Sequence, residues 1–258
     1  MNLRRIIWTS CLACMVAAGY SWWQLSAVSA RYDEIDQMVA AQTIPTVEAG
    51  NTKLAIPTYS LFKPGSVWTY VSKDRSLPGS FAPTLVDVPV AHGDAKASMQ
   101  VGAKIDGPLQ QLFAAAKADG VDLMISSAYR SLQDQQKLYD GYMTEKGQAY
   151  TVSHVAKPGT SEHQSGLAVD ITSASIACAA DSDKCELTYV AINWLAQNAP
   201  RFGFIQRYPM GKQSITGFSN EEWHYRYVGV PLAKALSDAS LTFDEFVQQA
   251  APGYAKTQ

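Results

Sequence analysis

Apolar side chains recur at helical spacing over 105–119, where Ile105, Leu109, Leu112, Phe113 and Ala116 mark one face before Gly120 stops the pattern. Over 121–126 the pattern alternates instead, which predicts a short strand. A second amphipathic helix is predicted over 131–143, with Leu132, Gln135, Leu138 and Tyr139 along one side. Strands are predicted at 167–171 and 224–228, and a helix at 190–199 ended by Pro200. A helical tail follows over 231–250, its apolar side carrying Leu232, Ala235, Leu236, Phe243 and Phe246. Helices interleaved with a few strands predict a compact α+β domain.

Upstream the periodicity fades. The stretch 64–90 is dense in turn residues, among them Pro64-Gly65, Pro78-Gly79 and Pro83, and predicts loops with short strands. Residues 31–56 have mixed polarity and no sustained period, so they read as a tether, and the folded domain is assigned to 57–258. Arg4 and Arg5 precede 25 residues, 6–30, without a formal charge. A bilayer span needs ~20 apolar residues. Thr9, Ser10, Gly19, Ser21 and Gln24 dilute the run, and Val28-Ser29-Ala30 looks like a signal-peptidase site. Residues 1–30 therefore read as either a cleaved signal peptide or an uncleaved single-pass anchor. Both readings export the rest of the chain to the cell envelope.

Composition narrows the function classes. The 258 residues are 47% hydrophobic and 17% charged, enough for one domain with a full core. A net charge of −2 without a basic cluster argues against nucleic acid as a partner. Of the four cysteines, Cys11 and Cys14 fall in the apolar leader. Cys178 and Cys185 stand seven apart in a Ser/Asp/Ala-rich stretch. In an oxidising compartment that spacing suits a loop-closing disulfide, the other reading being two unpaired thiols.

Four histidines are present: His92, His154, His163 and His224. His163 precedes Asp170 by seven positions, and Glu221 precedes His224 by three. A catalytic zinc takes three ligands from nitrogen and carboxylate donors and leaves a position open. A further carboxylate, held off the metal, moves the proton. Two histidines, one aspartate and one glutamate supply that set. In an extended 223–227 run, His224 and Arg226 share one face, and Trp223, Tyr225 and Tyr227 the other; Tyr208, Trp223 and Tyr225 read as core aromatics. His154 reads as a loop residue, and His92 has no assigned chemistry.

Four blocks in order resemble the VanY-type D-alanyl-D-alanine carboxypeptidases, zinc peptidases grouped with lysostaphin-like enzymes and hedgehog domains. They are Ser126-Ser127-Ala128-Tyr129-Arg130-Ser131 with Gln135, and Pro158-Gly159-Thr160-Ser161-Glu162-His163-Gln164-Ser165-Gly166-Leu167-Ala168-Val169-Asp170. Then come Gly203-Phe204-Ile205-Gln206-Arg207-Tyr208-Pro209 and Glu221-Glu222-Trp223-His224-Tyr225-Arg226-Tyr227-Val228-Gly229. The resemblance implies a small antiparallel sheet that carries one zinc ion and is flanked by helices. It implies His163, Asp170 and His224 as ligands, Glu221 rather than Glu222 as base, and Arg130 facing the scissile carbonyl. It further implies Gln135, Ser161 and Arg207 as cleft residues for substrate. The expected substrates are peptidoglycan stem peptides, cut as a D,D-carboxypeptidase. An L,D-carboxypeptidase or endopeptidase would use the same site. A binding module that had lost catalysis would lack a ligand or the base, and all four groups stand.

Overall fold

The computed structural model describes residues 46–49, 52–55, 58–92, 99–175 and 187–252. Two hairpins lead the chain: β1 (Thr46–Ala49) with β2 (Thr52–Ala55), and β3 (Leu85–Asp87) with β4 (Gln100–Gly102). Helix α1 (Asp106–Ala118) follows, then β5 (Leu123–Ser127), α2 (Leu132–Glu145) and α3 (Gly147–His154). A 3-10 turn, Glu162–Ser165, leads into β6 (Ala168–Ser173), and α4 (Tyr189–Asn198) precedes β7 (Phe204–Tyr208). The chain then runs through the short α5 (Gln213–Thr216), β8 (Glu221–Tyr227), α6 (Val230–Ala239) and α7 (Phe243–Ala250).

Four strands form one antiparallel sheet in the order β5-β6-β8-β7. Alternation along the strands separates two chemistries. Val169 and Ile171 of β6, Tyr225 of β8 and Phe204 of β7 turn to a core shared with Leu109, Leu112 and Phe113 of α1 and Leu195 of α4. Leu109 and Leu112 are fully buried, each adding roughly 1.5–3 kcal/mol of apolar burial. Asp170 and His224, paired in register across β6 and β8, alternate with these core residues and so take the opposite face. Ile205 and Val228 join a second core with Leu232 and Leu236 of α6 and Phe243, Phe246 and Val247 of α7.

The α+β architecture and its antiparallel sheet follow the pattern read from the chain, and several elements depart from it. The tail is two helices. Ser240 takes a left-handed φ of 53° after α6, and Thr242 and Glu245 then close a capping box on α7. Apolar periodicity runs through that break because both helices bury their stripes in the same core. The hairpin β1-β2 lies inside the stretch read as a tether. Helix α3 and strand β7 carried no periodic signal strong enough to predict. Residues 1–45 and 176–186 lie outside the described residues, and with them the leader and the Cys178–Cys185 pairing.

Candidate active site

His163 sits in the 3-10 turn that Gly166 ends. Gly166 has φ +70°, and a Cβ there would stand 3.0 Å from the Gly102 backbone. Only glycine turns the chain this sharply beside a second backbone. The next strand, β6, then brings Asp170 back towards His163. On β8, Tyr225 pairs with Gln206 but Glu221 pairs with Tyr208, so β8 carries extra residues in this stretch. That bulge brings Glu221 to within 3.7 Å of His224 despite their odd separation of three.

The ligand candidates converge. His163 Nε2 lies 3.3 Å from Asp170 Oδ2, and His224 Nδ1 lies 3.1 Å from Asp170 Oδ1. Donors ~2.1 Å from a tetrahedral zinc stand about 3.4 Å apart, so these spacings fit one ion. The tautomers fit as well. His163 Nδ1 donates to the Ala128 carbonyl at 2.7 Å, which leaves the Nε2 lone pair facing a carboxylate oxygen. Burial lowers the pKa of His163 against the pull of Asp170, so the imidazole is neutral and two lone pairs face each other. Asp170 Oδ1 is itself buried without a well-formed hydrogen bond, despite its closeness to His224. A cation between these atoms relieves both conflicts.

His224 makes the same point. Burial opposes its charged form, but the facing carboxylates of Asp170 and Glu162 outweigh burial and raise its pKa to about 10. The environment thus demands positive charge at Nδ1, as a proton or as a metal ion. Burial opposes the charged form of Asp170 too, yet His163 and His224 hold its carboxyl well below the usual range. Glu221 is pushed up to about 7, chiefly by burial, with Asp170 and Glu162 adding to the rise.

These groups line a cavity of about 240 Å³. Arg130 enters it from the loop after β5, its guanidinium held by Ser127 Oγ at 2.8 Å and Gln135 Oε1 at 2.9 Å. Gln135 and Ser161 line the same cavity. The Gln135 amide is committed at both ends, its Nε2 donating to the Ala156 carbonyl at 2.7 Å. Through these two bonds it holds Arg130 in place. Arg207 is a correction. It is 1% exposed and absent from the cavity wall, because its guanidinium is consumed by Glu162 and Asp244. His154 ends helix α3, rather than a loop, and stacks on Tyr150 at 4.1 Å on the cavity wall. Trp223 is 36% exposed at the same cavity, whereas Tyr225 is a core residue as expected.

Glu162 is the functional residue that spacing did not reveal. Its Oε2 lies 3.4 Å from His224 Nε2, and its Oε1 accepts from Arg207 Nε at 2.9 Å and Arg226 Nη1 at 2.8 Å. Burial alone would raise its pKa, yet the two arginines hold it well below the carboxylate range. One signal was available: Arg226 on the ligand face of β8 requires a buried anion.

Comparison with known proteins places this geometry. A family model described as D-alanyl-D-alanine carboxypeptidase, VanY, matches residues 98–230 and so contains the triad, Arg130 and Glu221. The chain belongs to the VanY family. A D-alanyl-D-alanine carboxypeptidase of Enterococcus faecalis is 41% identical over 157 residues, 57% of this chain and 56% of that protein. The chain thus spans little more than half the length of that relative. Among solved structures, the LdcB LD-carboxypeptidase is similar with a TM-score of 0.64 and 34% identity, covering 72% of this chain and 87% of that one. A VanY D,D-pentapeptidase variant from a VanB-type vancomycin resistance cassette, solved with Zn(II), gives a TM-score of 0.60 and 36% identity over 71% of this chain and 99% of that one. The family's zinc and the His163, Asp170 and His224 cluster agree on the cofactor.

Proposed function

We propose that this chain is a zinc-dependent D-alanyl-D-alanine carboxypeptidase that removes the terminal residue of peptidoglycan stem peptides. The observation that carries the reading is the gathering of His163, Asp170 and His224 in one cavity with Glu221 and Arg130. His163 Nε2, one Asp170 oxygen and His224 Nδ1 would hold the zinc. Bound zinc supplies Lewis-acid charge for polarising a carbonyl and acidifying water.

The protein's own groups do the rest. Glu221, close to His224 but outside the ligand set, takes the proton of the attacking water and returns it to the leaving amine. Arg130, fixed by Ser127 and Gln135, presents positive charge to the oxyanion that forms at the scissile carbonyl. Ser161, buried in the wall, offers its hydroxyl to the substrate. The reading includes export to the cell envelope by residues 1–30, where stem peptides are found. Cleavage of that leader and its use as an anchor are the two forms of this part.

One observation favours a second reading. The chain is similar both to an LD-carboxypeptidase and to a D,D-enzyme, with TM-scores of 0.64 and 0.60, so the same site would serve tetrapeptide stems. Purified protein incubated with defined pentapeptide and tetrapeptide muropeptides, with products weighed by mass spectrometry, decides between them. Loss of one alanine from the pentapeptide alone supports the D,D-assignment. Loss from the tetrapeptide alone moves it to L,D, and no cleavage of either with zinc bound sinks both.

A further inference from the structure

Behind the cavity a row of alternating charges connects His224 to the C-terminal helix. Asp244 on α7 accepts from both Nη atoms of Arg207, the Nη2 contact to Oδ1 being 3.2 Å. Tyr70 Oη donates to the same Asp244 Oδ1 at 2.8 Å. Arg207 Nε then donates to Glu162 Oε1 at 2.9 Å, and Glu162 Oε2 lies 3.4 Å from His224 Nε2. The Arg207, Glu162 and Asp244 side chains are no more than 2% exposed. Tyr70 and Asp244 both lie outside residues 98–230, the span matched by the family model.

The geometry of this row is directional. A guanidinium is a rigid planar fork, so the edge that Asp244 grips fixes where the Nε–H points. That N–H, with Arg226 Nη1 from the other side, occupies Glu162 Oε1 and leaves Oε2 for His224. Asp244 and Glu162 together balance Arg207 and Arg226. Without the Asp244 charge, two guanidiniums compete for one carboxylate, and its oxygens turn away from the imidazole.

We propose that Asp244 is a positioning residue for the metal centre, acting through Arg207 and Glu162 to hold His224 with Nδ1 towards the ion. Helix α7 is then part of the catalytic unit. The inference rests on the ligand assignment above.

The test is zinc affinity of the full chain, measured by competition with a chromophoric chelator far below the unfolding midpoint, with circular dichroism to confirm folding. Asp244→Asn weakens zinc binding by roughly 10–100-fold, the usual cost of losing an outer partner of a ligand. Tyr70→Phe, which removes only the hydroxyl on Asp244, weakens it in the same direction and by less. Thr242→Ala lowers the stability of α7 without touching the row and keeps wild-type affinity. Wild-type affinity in folded Asp244→Asn overturns the proposal, as does equal weakening in Thr242→Ala. Should Asp244→Asn not fold, unchanged affinity in Tyr70→Phe overturns it. A chain whose zinc affinity survives His224→Ala overturns the ligand assignment itself, a different failure.

Discussion

Glu162 Oε2 stands 3.4 Å from His224 Nε2, and this contact selects which imidazole nitrogen faces Asp170. It also closes a buried group of two arginines and two carboxylates in which every charge has a partner. Glu162→Gln keeps the shape and removes the charge. Breaking a buried pair in this way costs about 3–5 kcal/mol. Denaturant unfolding of the metal-free protein is expected to show that loss, and zinc binding should weaken about 10–100-fold.

Glu221→Gln separates metal binding from proton transfer. The amide cannot accept the proton, and general-base losses run to about 10²–10⁴-fold. Zinc content by atomic emission should remain one per chain. A variant that keeps its wild-type turnover removes Glu221 from the reaction.

Arg130→Ala tests the oxyanion role. Loss of a preorganised donor lowers kcat by roughly 10²–10³-fold with zinc content unchanged. Gln135→Ala should follow in the same direction and by less, because Gln135 acts by holding Arg130. Steady-state kinetics on a pentapeptide stem reads both.

Stability also carries a pH signature at α7. Lys212 and the Thr242 cap hold the Glu245 carboxyl below its ordinary value, outweighing burial, the largest single influence. A depressed folded pKa means that this stabilisation is complete above the unfolded glutamate value near 4.5 and lost as pH falls through the folded one. Glu245→Gln, which keeps the cap but loses the Lys212 ion pair, should therefore cost about 0.2–1 kcal/mol at neutral pH. The difference from wild type should vanish in acid, as read by urea unfolding at several pH values.

The candidate set was readable because its parts are local and lie in ordered blocks that resemble one family. Seven positions separate His163, in the 3-10 turn, from Asp170 on β6, and three separate Glu221 from His224 on β8. Helix α1, strand β6 and strand β8 were readable for the same reason, since burial on one face imposes a period on the residue pattern. The break between α6 and α7 was written in Thr242 and Glu245, but the apolar period across it masked the signal.

Arg207 shows the opposite case. A charged residue in an ordered block looks like a cleft residue, and nothing nearby in the chain identifies its partners. Those partners, Glu162 and Asp244, are 45 and 37 positions away. Sequence alone therefore carried the α+β class through its periodicity, and the resemblance of its ordered blocks to the VanY type implied the metal donors and the base. Only the tertiary structure decided which arginine lines the cavity and which is buried. The fate of a charge depends on the counter-charge that folding brings to it, and that pairing has no period along the chain.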